Sequence, residues 1–62
     1  MVTHNLQQQT DDVEFCTNEA LRFSELATRV AFKGNAVAAA HYQDISRVYA
    51  RRAMFAARQV AA

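Results

Sequence analysis

The sequence predicts an all-α fold, a single antiparallel hairpin of two helices, and three observations support it. The 62-residue chain contains no proline and a single glycine, Gly34. Apolar residues recur at the helical spacing of three and four on both sides of that glycine. The segment after it is rich in alanine, which has the highest intrinsic helix propensity. Two long helices joined near the middle of the chain are therefore expected.

The first helix is predicted over residues 11–32, after a polar N-terminal arm formed by residues 1–10. Asp11 followed by Glu14 has the spacing of a capping box, and acidic side chains are favoured at the positive end of the helix dipole. The preceding residues are mostly polar and lack turn-forming residues, so they are expected to fray or to extend the helix by one turn.

The turn is predicted at residues 33–35 and the second helix at residues 36–60. Gly34 can adopt the left-handed backbone conformation that commonly ends a helix, because it has no Cβ. Asn35 can then cap the second helix by accepting a hydrogen bond from one of its first free N–H groups. Residues 11–62 are predicted to form the hairpin as one domain.

Both helices carry an apolar stripe that can close the hairpin. Folding at Gly34 brings together residues whose numbers add to about 68, because both helices rise equally per residue. The predicted facing pairs are Ala20 with Tyr49, Phe23 with Ile45, Ala27 with Tyr42, and Val30 with Ala38. Large side chains meet small ones, as close packing requires.

A second apolar strip remains uncovered in this arrangement. Its members are Phe15, Leu26, Val37, Val48 and Phe55. Leaving a large apolar side chain in water forfeits about 1.5–3 kcal/mol. A chain this short also has a small core, and its lone Cys16 cannot form an internal disulfide. The strip is therefore predicted to be an oligomer interface that builds a homodimeric four-helix bundle, or a higher even-numbered assembly.

Charged and polar residues within the stripes suggest two hypotheses. Glu19 and Arg52 are predicted to lie within reach of each other and to form a half-buried ion pair, since buried charges usually need partners. Alternatively, Arg52 and His41 bind an anionic small ligand at a seam between subunits.

Three arginines, Arg47, Arg51 and Arg58, share the outer face of the second helix. The residues after Asn35 hold four basic and one acidic side chain, whereas the first thirty-four hold three basic and five acidic ones. One interpretation is a phosphate-contacting ridge for RNA or DNA. The other, which we favour, is a solvated face that offers an exposed contact surface.

The remaining candidates for chemistry are weak. Cys16 occupies a core position of the heptad pattern, which predicts a buried thiol. His41 and Asp44 form a single His-x-x-Asp pair, which is too few ligands for a metal site. We predict no enzyme activity and no cofactor. The chain lacks the roughly 20-residue apolar run of a membrane span and a signal-like start, so a cytoplasmic protein without membrane association is expected.

Two resemblances accompany these observations. In length and layout the chain is similar to plasmid copy-number RNA-binding hairpins that dimerise into four-helix bundles. The segment Ala40-His41-Tyr42-Gln43, with Ala50 and Ala53, resembles the second helix of the small type III secretion needle chaperones over less than half of the chain. We name no family from these likenesses.

The function predicted from the sequence is that of a small non-enzymatic protein-interaction module. As a homo-oligomeric helical hairpin, it would regulate, inhibit or chaperone a protein partner by laying an apolar strip against a helix or groove. The alternatives are an RNA- or DNA-binding regulator that uses the arginine ridge, and the anion binder described above.

Overall fold

The protein is a hairpin of two long helices that lie antiparallel against each other. The structure, a computed structural model, describes the backbone of residues 3–61 and the side chains of residues 10–60. Helix α1 spans Thr3–Phe32 and helix α2 spans Ala36–Ala61. Together they form a rod of 49 × 14 × 13 Å. The predicted all-helical hairpin is confirmed.

The turn ends α1 as the sequence predicts. Gly34 has a φ of 86°, in the left-handed region. Its N–H donates to the carbonyl of Ala31 at 2.9 Å, and the N–H of Asn35 donates to the carbonyl of Val30, also at 2.9 Å. These two bonds form the Schellman arrangement, which provides partners for carbonyls that the end of a helix would leave free.

Asn35 caps α2, which confirms the second prediction for the turn. Its side-chain Oδ1 accepts a hydrogen bond from the N–H of Ala38 at 3.0 Å. Its carbonyl accepts the first helical bond from the N–H of Ala39, also at 3.0 Å. One residue thus completes the end of α1 through its backbone and starts α2 through its side chain.

The start of α1 differs from the prediction. The helix begins at Thr3 rather than Asp11, so Asp11 lies inside the helix and is not its N-cap. Residues 3–10 contain neither glycine nor proline, and their glutamines are good helix formers, so nothing in them stops the helix. A capping sequence permits a helix to start but does not require it. Met1 and Val2 of the predicted arm lie outside the described residues.

The seam between the helices is built from small side chains. The buried apolar residues of the described part of the chain are Cys16, Ala27, Ala39 and Ala53. The hydroxyl of Ser46 on α2 donates to the backbone carbonyl of Ala20 on α1 at 2.7 Å, which requires the two helices to lie close together. Because the contact surface is made of small residues, the large apolar side chains lie at its edges or outside it.

Aromatic rings border the seam along its middle. The ring of Phe23 stacks between those of Tyr42 and Tyr49, with centroids 6.0 Å from each. The ring of Phe15 meets Tyr49 edge-on at 6.2 Å. Ile45, the predicted partner of Phe23, lies on α2 between the two tyrosines, so the predicted level along the rod agrees with these contacts. Tyr42 and Tyr49 are half-buried, as expected of aromatic residues with polar tips.

Candidate functional site

The candidate site is an apolar face that the hairpin leaves uncovered, here called the open face. It consists of the five residues predicted as an uncovered strip: Phe15, Leu26, Val37, Val48 and Phe55. Phe15 is 57% exposed, Phe55 65%, Val48 45% and Val37 83%. Leu26 is half-buried beside the seam. The hairpin therefore hides little of the strip by its own folding.

The members of the open face lie on one side of the rod. Phe15 of α1 and Phe55 of α2 line the same groove, which has a volume of about 650 Å³. On α1, Leu26 lies eleven residues after Phe15. On α2, Val48 lies seven residues before Phe55, and Val37 lies eleven residues before Val48. Spacings of seven and eleven return to nearly the same direction in a helix with 3.6 residues per turn. The face thus runs along both helices.

The predicted ion pair between Glu19 and Arg52 is replaced by contacts within each helix. The carboxylate of Glu19 lies 3.8 Å from Nη1 of Arg22, one turn further along α1. The guanidinium of Arg52 lies 5.5 Å from the ring centroid of Tyr49, three residues earlier on α2. Neighbours at this spacing compete well with a partner across the seam. Among the described side chains, no ion pair therefore joins Glu19 to Arg52 within one hairpin.

His41 and Arg52 do not form one site within a chain. The ring of His41 is exposed and lies 6.1 Å from that of Tyr42. Eleven residues separate the two side chains on α2, which corresponds to about 16 Å along the helix. A small anion cannot contact both residues of one subunit, so the structure offers no support for the anion-binding hypothesis within a hairpin.

The arginine ridge is less uniformly basic than the sequence suggested. Nη1 of Arg47 lies 3.5 Å from a carboxylate oxygen of Asp44, and both side chains are exposed. Arg51 and Arg58 instead border a shallow groove of about 230 Å³ that is also lined by Met54 and Phe55. Arg51 and Phe55 line the larger groove of the open face too. The outer surface of α2 therefore combines two cations with an apolar floor.

Three exposed apolar residues were missed by the sequence analysis. They are Leu21, Phe32 and Met54. The stripes followed only the strongest heptad pattern, and these residues lie off it. Leu21 and Phe32 are eleven residues apart, so plotting every apolar residue of α1 by helical angle would have placed them together on a side distinct from that of Phe15.

The described residues show a buried thiol and no metal-binding group. Cys16 is buried in the seam, as predicted. Over the part of the chain with described side chains, no group of three or more His, Cys, Asp or Glu residues is placed to hold a metal ion. Neither α1 nor α2, over its described residues, is long and apolar enough to cross a membrane.

Comparisons with known proteins add no family to this description. No family model matches the chain, and no curated protein or solved structure matches it either. The fold and the two surfaces of the rod are therefore the basis for any functional inference. They define a two-helix hairpin with a seam of small side chains, an uncovered apolar face and a surface that combines arginines with apolar residues.

Proposed function

We propose that this chain is a small, non-enzymatic protein-interaction module that works as a homo-oligomer. In this proposal the open face joins two hairpins into a four-helix bundle. The part of the outer α2 surface that lies beyond that face, around Met54 and Arg58, stays exposed and contacts a protein partner, which the module regulates, inhibits or chaperones. A higher even-numbered assembly would use the same face.

The observation that carries the proposal is the amount of surface that a single hairpin leaves in water. The chain exposes 4962 Å², whereas a compact folded monomer of this mass is expected to expose about 4,000 Å². Its radius of gyration is 14.4 Å, compared with about 11 Å for a compact domain of this length. The excess, about 900 Å², is close to the roughly 800 Å² that each partner contributes to a standard interface.

The composition of the seam supports the same proposal. Its buried residues are a cysteine and three alanines, which bury little apolar surface each. The larger apolar side chains of Phe15, Val48 and Phe55 remain exposed on one side of the rod. A second hairpin laid on that side would give these residues the core that the first hairpin lacks.

The mixed character of the α2 surface favours a protein partner over a nucleic acid. Arginine and methionine are enriched in protein interfaces, and Arg51, Met54 and Arg58 lie together around one shallow groove. Nucleic-acid affinity depends mainly on cations that are free to replace counterions, and Asp44 offsets part of the charge of Arg47.

The partner surface can be tested by cross-linking the protein in its native host and identifying the captured chains by mass spectrometry. We expect a protein that is captured by the native chain and lost in a Met54→Ala/Arg58→Ala variant. An Arg29→Ala variant, which removes an exposed arginine of α1, should retain it. Equal capture by all three chains would contradict the assignment of this surface.

The nucleic-acid alternative has its own test. Binding of the purified chain to duplex DNA and to single-stranded RNA should be measured at about 50 and 200 mM salt, over which phosphate-dominated binding weakens steeply. We expect no binding at either concentration. Binding that weakens with salt and disappears in an Arg51→Ala/Arg58→Ala variant would replace the protein-partner proposal with the nucleic-acid one.

A further inference from the structure

The open face carries charged residues of both signs, acidic ones on α1 and basic ones on α2, and their fate in an assembly restricts its geometry. Glu19 is half-buried, with its side chain 20% exposed, and its contact to Arg22 is a long one at 3.8 Å. Arg52 lines the groove between Phe15 and Phe55, together with Asp12 and Arg51. Among the described residues, no carboxylate lies within ion-pair distance of Arg52, and its guanidinium carbon lies 5.5 Å from the ring centroid of Tyr49. A second hairpin on this face would cover these charges.

The observed contacts fix the level of each residue along the rod. Ring stacking and the Ser46 hydrogen bond place residues of α1 and α2 at the same level when their numbers add to about 67. Arg52 is then level with Phe15. Glu19 lies four residues closer to the turn, which is about 6 Å along the axis. Two long side chains can bridge that offset.

Two face-to-face arrangements preserve twofold symmetry, and the charges distinguish them. If the two turns lie at opposite ends, each α1 packs on the α1 of its partner. The middle of α1 falls near residues 17–18, so at full overlap Glu19 would meet Glu19 of the partner subunit. Like charges brought together in an interface from which water is excluded are strongly unfavourable.

If both turns lie at the same end, each α1 packs on the α2 of its partner. Residues at equal levels then face each other, so Glu19 comes close to Arg52 of the partner subunit, and Phe15 comes close to Phe55 of the partner subunit. Every neighbouring pair of helices remains antiparallel, as in a four-helix bundle with short connections. Opposite charges meet, and the symmetry forms the pair twice.

We propose that a second copy of this chain occupies the open face with both turns at the same end, held in register by two ion pairs between Glu19 and Arg52 of the partner subunit. This inference rests on the proposed homodimer and goes further by assigning its geometry. The dimer seam would place the aromatic groove of each chain at its centre, with one buried ion pair on either side.

Charge exchange tests the pairing. In Glu19→Arg the two facing positions are both basic, and in Arg52→Glu both are acidic, so each variant alone should dimerise at least about 10-fold more weakly than the native chain. An equimolar mixture should form a heterodimer with nearly native affinity, detectable by native mass spectrometry. A chain carrying both exchanges should again form a homodimer, which provides a readout if either single variant folds poorly.

The control is Arg47→Glu, a charge reversal on the outer surface of α2, which should neither weaken the homodimer nor pair preferentially with Glu19→Arg. If the native chain dimerises but the Glu19→Arg and Arg52→Glu mixture shows no preference for heterodimers, the assigned geometry is wrong and the homodimer stands. If the native chain stays monomeric, the proposed function itself fails.

A distance measurement tests the position of the turns. Lys33 is exposed next to the turn, and Lys33→Cys in a Cys16→Ala background offers one site for a spin label. The same-end dimer should give a label separation below about 30 Å, because each rod is only 14 × 13 Å across. A separation above about 40 Å, close to the 49 Å length of the rod, would overturn the proposal.

Discussion

The seam and the open face of the hairpin are built from opposite kinds of side chain. The seam buries Cys16 and three alanines, and a serine hydroxyl bonds directly to the opposite backbone. The open face presents two phenylalanines, two valines and a half-buried leucine. Small residues let the helices approach closely, but they bury little apolar surface. The hairpin is therefore specified by its seam, and we propose that its stability depends on what covers its open face.

The largest effect should come from a charge on the open face. Phe15→Asp would remove an aromatic ring from the proposed interface and bury a carboxylate in its place. That change should reduce the free energy of dimerisation by several kcal/mol, and a loss of about 2.7 kcal/mol already raises the dissociation constant 100-fold. Sedimentation equilibrium should show the dimer dissociating at concentrations where the native chain remains paired.

The matched control is Leu21→Asp, since Leu21 is as exposed as Phe15 (61% and 57%) but lies on a different side of α1. It should leave the dissociation constant within a few-fold of the native value. Equal weakening by both substitutions would mean that general hydrophobicity, and not the open face, drives assembly.

A smaller effect is expected when the aromatic stack beside the seam is removed. Phe23→Ala deletes the ring that contacts both Tyr42 and Tyr49 and should destabilise the fold by about 3 kcal/mol, as large-to-small substitutions of packed rings do. Urea unfolding measures this value. Tyr42→Phe keeps the ring and should cost less than about 1 kcal/mol, so a similar loss in both variants would contradict the role assigned to ring packing.

A substitution in the turn between α1 and α2 should have a smaller effect on stability. Gly34→Ala forces a side chain into the left-handed conformation, which costs about 1–2 kcal/mol. Beyond the glycine and its two chain neighbours, no atom lies within 4 Å of the added Cβ, so collision with the rest of the molecule adds nothing to this cost. Gly34→Asn should be milder, because asparagine tolerates that conformation better. Thermal unfolding at fixed protein concentration compares the two, and equal losses would mean that the backbone conformation is not the cause.

The smallest effect belongs to the hydrogen bond across the seam. Ser46→Ala removes the donor to the carbonyl of Ala20 and should cost about 1 kcal/mol in urea unfolding, without changing the dimer dissociation constant. Ser24→Ala, on the exposed side of α1, serves as the control and should change neither quantity. A weaker dimer in Ser46→Ala would show that the seam and the open face are not independent.

The sequence predicted the parts of the fold that depend on local chemistry. Gly34 and Asn35 ended one helix and began the next as expected, because their conformational and capping preferences act within a few residues. The start of α1 was missed, since Asp11 offers a capping sequence that the chain passes through when nothing before it breaks the helix.

Side-chain partners were harder to predict than faces. Helical angles predicted that Phe15, Val48 and Phe55 stay outside the seam, and all three are exposed, because these angles follow from the period alone. They do not decide which rotamer a long side chain adopts, and Glu19 turned to Arg22 on its own helix. Phe23 likewise contacts the rings on either side of its predicted neighbour.

Sedimentation equilibrium of the native chain at micromolar concentrations, followed with unfolding in urea, tests the central claim most directly. We predict a particle of twice the 7.0 kDa chain mass, and a stability that rises with protein concentration because folding and assembly are linked. A 7.0 kDa particle that unfolds cooperatively at the same urea concentration over a hundred-fold range of protein concentration would contradict the claim that the open face is an interface.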